Sequence, residues 1–115
     1  MERGANLVGF DVAVKEARNV DVEHWRLWLA SMAEDIYNHV FGRSEAIKRG
    51  DWVFPYCVVE EIKQWKTVVV VFGRDVEAEG VSYWFSVRRN GEFKAGANFW
   101  GGKIAVEGRL AGVEG

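Results

Sequence analysis

Cysteine occurs once in these 115 residues, and so does proline. With Cys57 alone no internal disulfide can form, which suits a reducing, cytoplasmic setting. No helix start or base stands near Cys57 in sequence, so a small buried filler is expected there rather than a reactive thiol. Long apolar runs are missing as well. Val68 to Phe72 is far too short to span a bilayer, and Met1 to Phe10 lacks the continuous apolar core of a secretory signal. No membrane partner is expected.

The residues that usually carry catalysis are also sparse. The two histidines, His24 and His39, lie fifteen positions apart on one expected helix, so a single metal cannot bridge them. No ligand cluster has zinc spacing. Glu34-Asp35 and Glu60-Glu61 are adjacent pairs that point in different directions from a helix, as solvated faces do. Gly102-Lys103 is not followed by Ser or Thr and lies between expected strands, which excludes a phosphate loop. There is no nucleophile elbow and no dinucleotide fingerprint. The expectation is a non-enzyme without cofactor or metal. A net charge of −2 gives no global attraction to nucleic acid. Glutamine is confined to Gln64 while Glu, Arg, Lys and Val are plentiful, which points to a heat-adapted source.

What is present centres on Val81 to Trp100. Asn90-Gly91 between two alternating runs is a strong hairpin signal. Loop length decides which side chains share a face, since a one-residue slip inverts a strand. A two-residue loop would mix apolar and polar side chains on both faces. A three-residue loop, Arg89-Asn90-Gly91 with Gly91 left-handed, sets Arg88 opposite Glu92. One face then carries Val81, Tyr83, Phe85, Val87, Phe93, Ala95, Ala97 and Phe99. The other carries Ser82, Trp84, Ser86, Arg88, Glu92, Lys94, Gly96, Asn98 and Trp100. The second register gives one clean core face and is the one expected. It also places Trp84 opposite Gly96, where the indole can spread over the neighbouring strand.

Around this hairpin, Asn6 to Lys15 alternates as a strand. A helix is expected from Asp21, its N-cap, to about Phe41, ended by Gly42. Its seam is Val22, Trp25, Leu29, Met32, Ile36 and Val40, broadened by Trp28. Packing on a sheet explains that seam better than a dimer zipper, which needs several sustained heptads. Arg43 to Gly50 reads as a basic link, with one helical turn capped by Ser44. Val58, Ile62 and Trp65 have helical spacing, so a second helix is expected from Pro55 to Trp65, although Trp52, Phe54, Tyr56 and Val58 also alternate. Thr67 to Gly73 reads as a buried strand, Arg74 to Gly80 as an acidic loop, and Lys103 to Leu110 as a last strand with Ile104, Val106 and Leu110 inward. The fold class expected is α+β: one domain over residues 1–115, an antiparallel four- to five-stranded sheet, and one long and one shorter helix on one face. The expected core is Val8, Phe10, Val12, Trp25, Leu29, Met32, Ile36, Val70, Phe72, Tyr83, Phe85, Phe93, Phe99, Ile104 and Val106.

If both helices cover one face, the Trp84 face stays open. Gly80 to Val106 carries Arg88, Arg89, Lys94 and Lys103 against Glu92 alone, a local +3. Aromatics among cations equip a platform for single-stranded nucleic acid. On that reading bases stack on Trp84 and Trp100 beside Asn98, while Arg88, Arg89, Lys94 and Lys103 neutralise phosphates. Lys63, Trp65, Lys66, Lys48 and Arg49 extend the groove. The order of an N-terminal strand with Gly9-Phe10, a Trp-bearing helix from Asp21 to Phe41, and an aromatic, basic antiparallel sheet resembles the archaeal ThermoDBP proteins. The resemblance covers most of the chain and rests on layout and composition. It implies a sequence-tolerant single-stranded DNA-binding protein that is not an OB-fold, with Trp84, Trp100, Arg88 and Lys94 at the matching positions. RNA as ligand and a homodimer stay open. So does a protein-interaction module that buries the same Trp face against a partner, since Trp and Arg are also interface hot-spot residues. A small-ligand pocket between sheet and helix is a third alternative.

Overall fold

The computed structural model describes residues 7–17, 22–53, 57–100 and 102–110, with backbone alone for 7–17 and 22. Among the described residues seven strands and one helix are present, and the strands form one antiparallel sheet: β1 (Leu7–Ala17), β2 (Trp52–Val53), β3 (Cys57–Gln64), β4 (Val68–Asp75), β5 (Ser82–Arg88), β6 (Glu92–Phe99) and β7 (Gly102–Leu110). Their spatial order is β1-β7-β6-β5-β4-β3-β2. Six strands are long, and the two-residue β2 trims the far edge. One helix, α1 (Val22–Tyr37), runs into a π-helical turn at Asn38–Gly42. The architecture is α+β, with more strands and fewer helices than expected.

The seam of α1 is spent on the sheet. Leu29, Met32 and Ile36 are fully buried, and Val40 nearly so. They pack with Val69, Val71, Tyr83, Phe85, Val87, Phe93, Ala95, Ala97, Ile104 and Val106, which alternate along β4 to β7. Trp25 stacks on Phe99 with ring centroids 5.3 Å apart. The helix contacts β5, β6 and β7, and also both edge strands, β1 and β2. A flat sheet cannot bring both edges to one helix, so the sheet curls around it. Irregular register in β1 and a bulge in β3, between Val59 and Glu61, lie on the flanks where such bending is needed.

That bulge explains the segment misread as a second helix. Cys57 and Val59 face the core; the extra residue then shifts the parity, and Ile62 is the next to turn inward. An interrupted period of two mimics helical spacing. Pro55 itself lies outside the described residues, as does Asp21. Arg43 to Gly50 holds no helical turn; Ser44 takes a left-handed φ of 56° there instead. In β4 the expected uniform burial is replaced by alternation: Val69 and Val71 are buried, Val70 is half-buried and Phe72 is exposed. Val70 and Phe72 therefore leave the expected core. The side chains of Val8, Phe10 and Val12 lie outside those described.

The hairpin register is as expected, with Trp84 paired to Gly96, Phe85 to Ala95 and Val87 to Phe93. Gly91 adopts φ 93°, and its N–H donates to the Arg88 carbonyl at 2.9 Å, closing the three-residue loop. An ion pair between Arg88 and Glu92, expected from their facing positions, does not form; Glu92 takes Arg109 instead, at 3.7 Å.

At the other end of β5, the Tyr83 hydroxyl donates to Asp75 Oδ2 at 2.6 Å. The N–H groups of Glu77 and Ala78 donate to Oδ1 at 2.8 Å each. Burial pushes the Asp75 carboxyl up, but these three bonds outweigh it and hold the group below its ordinary range. Burial, and then the bond to Asp75, push the Tyr83 hydroxyl well up. The loop is thus tied to the core by a charge-assisted bond.

Two outcomes follow. Leu29→Ala should cost roughly 2–5 kcal/mol in urea unfolding, as a core cavity does. A mutant of near-normal stability that becomes monomeric would instead revive the zipper. For the loop, a carboxyl with a depressed folded pKa stabilises above its unfolded value, about 3.9, and loses that contribution as pH falls through the folded value. Tyr83→Phe should therefore cost roughly 1 kcal/mol near neutral pH, since Asp75 is half-exposed, and the gap from wild type should close in acid. A gap that persists to the lowest pH at which both fold would show that Asp75 is not its source.

Candidate nucleic-acid interface

Because α1 packs on one face of the curled sheet, the side chains of opposite parity point outward. Strand pairing arranges them in rows. Glu61, Phe72, Trp84, Gly96 and Ala105 form one row across β3 to β7. Lys63, Val70, Ser86, Lys94 and Glu107 form the next. Beyond it Val68 pairs with Arg88, and Glu92 with Arg109. On the other side of the aromatic row lie Val58, Arg74, Ser82, Asn98 and Lys103.

Trp84 is the centre of this face, and its pose follows from one missing side chain. A Cβ at Gly96 would sit 2.5 Å from Trp84 Cε2 and 2.7 Å from Cζ2. The indole therefore lies down across β6, in the space that Gly96 leaves. Its cross-strand neighbour Phe72 is 42% exposed. Both side chains face the open side of the sheet as cross-strand neighbours, Phe72 exposed and Trp84 half-buried with its indole turned toward β6, and together they form an aromatic step. Phe72 was missed as a site residue because a run of four valines carries no parity. The pairing of Val71 with Phe85 is what turns Phe72 outward.

Cations flank this step on one side. Arg88, Lys94 and Ser86 line an open depression of about 570 Å³ with Glu92, Glu107 and Arg109. Among the described residues, Arg74 is paired with Glu60 at 3.4 Å and Arg109 with Glu92 at 3.7 Å. Among the described residues Lys63, Arg88 and Lys94 have no such partner.

The expected site residues divide accordingly. Trp84, Arg88, Lys94 and Asn98 share the outer face, and Lys63 joins them by pairing with Val70. Lys103 pairs with Asn98 in the row beyond Trp84 and already has an interaction of its own. Trp100 is 98% exposed in the turn between β6 and β7, past the end of the face. Arg89 goes to the helix side: its guanidinium sits 4.8 Å over the Phe41 ring, and its Nε donates to the Lys66 carbonyl. Trp65 and Lys66 lie in the β3–β4 turn at that same end. Lys48 and Arg49 precede β2, where the Lys48 N–H donates to Asp51 at 2.9 Å, away from the aromatic step. The long list thus contracts to Trp84, Arg88, Lys94 and Lys63, with Asn98 on the margin and Phe72 added.

Cys57 is buried; that burial, and then the charges of Asp75 and Glu60, push its thiol up to about 12. Among the described residues no three His, Cys, Asp or Glu side chains gather to hold a metal, and no helix is long and apolar enough to cross a membrane. Set against known protein families, curated proteins and solved structures, the chain matches none.

The Trp84 pose can be tested by a double-mutant cycle. Gly96→Ala alone should destabilise by roughly 1–3 kcal/mol, because its methyl overlaps the indole. In a Trp84→Ala background the same change should be neutral or stabilise by several tenths of a kcal/mol, as Gly→Ala does where backbone permits. Additive effects would mean that Trp84 does not rest on Gly96.

Proposed function

We propose that the protein binds single-stranded nucleic acid, DNA in the first instance, on the outer face of the sheet and without catalysis. The observation that carries this reading is the outward-facing aromatic pair, exposed Phe72 beside half-buried Trp84, with the unpaired cations Lys63, Lys94 and Arg88 on one flank. Every base has a π-face, so aromatic stacking is tolerant of sequence, and each stacked base is worth about 1–3 kcal/mol. The cations neutralise phosphates locally, which offsets the net charge of −2. It is also the activity that the resemblance to the ThermoDBP proteins implies, and it fits a cytoplasmic protein of a heat-adapted organism.

A second reading, a protein-interaction module or homodimer, draws on Trp52. It is 60% exposed opposite Val58 and extends the apolar surface toward the sheet edge, away from the unpaired cations. A protein partner would use that extension; a nucleic acid would have less need of it.

Fluorescence anisotropy with a labelled oligonucleotide separates the two. Trp84→Ala and Phe72→Ala should each weaken single-strand binding by about 1–3 kcal/mol and leave the salt dependence nearly unchanged, since stacking releases no counterions. Arg88→Ala should lower the magnitude of the log–log salt slope by roughly 0.7, one phosphate on a single strand. Duplex DNA hides its base faces and should bind more weakly than a single strand of equal length. If Trp84→Ala unfolds the protein and the folded fraction binds normally, the platform is only a structural surface. If Trp52→Ala changes oligomeric state while no oligonucleotide binds, the second reading takes its place.

A further inference from the structure

The rows of the outer face also define a direction. Aromatic rings occupy one row, on β4 and β5. The nearest unpaired cations, Lys63 and Lys94, occupy the adjacent row, on β3 and β6, with Val70 and Ser86 between them. The row on the opposite side offers less: Arg74 is held by Glu60, and Lys103 is already engaged. Resting on the single-strand reading above, we propose that the nucleic acid crosses the β-strands at right angles. Its phosphates follow Lys63, Ser86 and Lys94, and two of its bases lie on Phe72 and Trp84. A strand running along β5 and β6 instead would meet cations on one side of the aromatic step only.

The length of the contact follows from the same rows. The phosphate row is closed by Glu107 on β7, and the base row by Glu61 on β3. Both carboxylates repel phosphate. From β3 to β6 there are three interstrand gaps of about 4.8 Å, or about 14 Å in all. Even at the roughly 3.4 Å phosphate spacing of one duplex strand, that holds only about four phosphates. The ligand class is therefore a short unpaired segment of at most about four nucleotides, such as a gap, a loop or a strand end. A long tract would bind as a series of independent short sites.

Oligothymidylates of two, four, eight and twenty nucleotides, titrated into the folded protein, test both parts. Affinity should rise steeply from two to four nucleotides and then increase only by the number of overlapping sites. Lys63→Ala and Lys94→Ala should each lower the magnitude of the salt slope by roughly 0.7, and Arg74→Ala should leave it unchanged. Melting curves check that these exposed substitutions leave the fold intact. A slope that falls for Arg74→Ala but not for Lys63→Ala overturns the crossing direction. Affinity that keeps climbing steeply to twenty nucleotides overturns the short footprint. Either result leaves the single-strand reading standing, whereas failure of every oligonucleotide to bind removes that reading and this one together.

Discussion

The parity of the β5–β6 hairpin governs the outer face, and parity is set by a single backbone conformation. Gly91 sits at φ 93° while Asn90 does not take the positive φ that a two-residue Asn-Gly loop would require of it, so the loop closes with three residues and not two. That one count sends Tyr83, Phe85 and Val87 to the helix and Trp84, Ser86 and Arg88 to the other side. The neighbouring strands inherit the choice through their ladders. Phe72 faces outward because Val71 pairs with Phe85. Ala105 faces outward because Ile104 and Val106 pair with Ala97 and Ala95.

This dependence also explains what could be read from sequence. The hairpin was legible because its two runs alternate and its turn residues restrict the loop. The α1 seam was legible because spacings of three and four recur over five turns. Two kinds of segment were not. In β4, four consecutive valines satisfy either parity, so only pairing to β5 decides which of them are buried. In β3, the bulge after Val59 breaks the period of two and leaves Val58, Ile62 and Trp65 at a helix-like interval. β2 is two residues long, too short for any periodicity to register. Of the candidate site, the residues on β5 and β6 were recoverable. Those in turns, such as Arg89 and Trp100, were not, because alternation ends where the strand does.

Charge is arranged by the same logic. A protein with net charge −2 has little long-range pull on a polyanion. Its field matters at contact distance, where rows are about two residues apart along a strand. The outer face mixes signs, yet two acids there are matched: Glu60 by Arg74, and Glu92 by Arg109. The cations left over fall on one side of the aromatic step. Arg89, by contrast, spends its charge on Phe41 and on the Lys66 carbonyl. It joins the β3–β4 turn, the β5–β6 turn and the end of the helix.

The bed that Gly96 makes for the Trp84 indole has a further consequence. A tryptophan on an open surface normally samples several rotamers, and a ligand that stacks on it must freeze one of them. Trp84 is laid down before any ligand arrives, because the strand beneath it has no side chain to lift it. The ordering has been done during folding. A planar guest would therefore meet a surface already set, and little of its contact energy would be lost to immobilising the host.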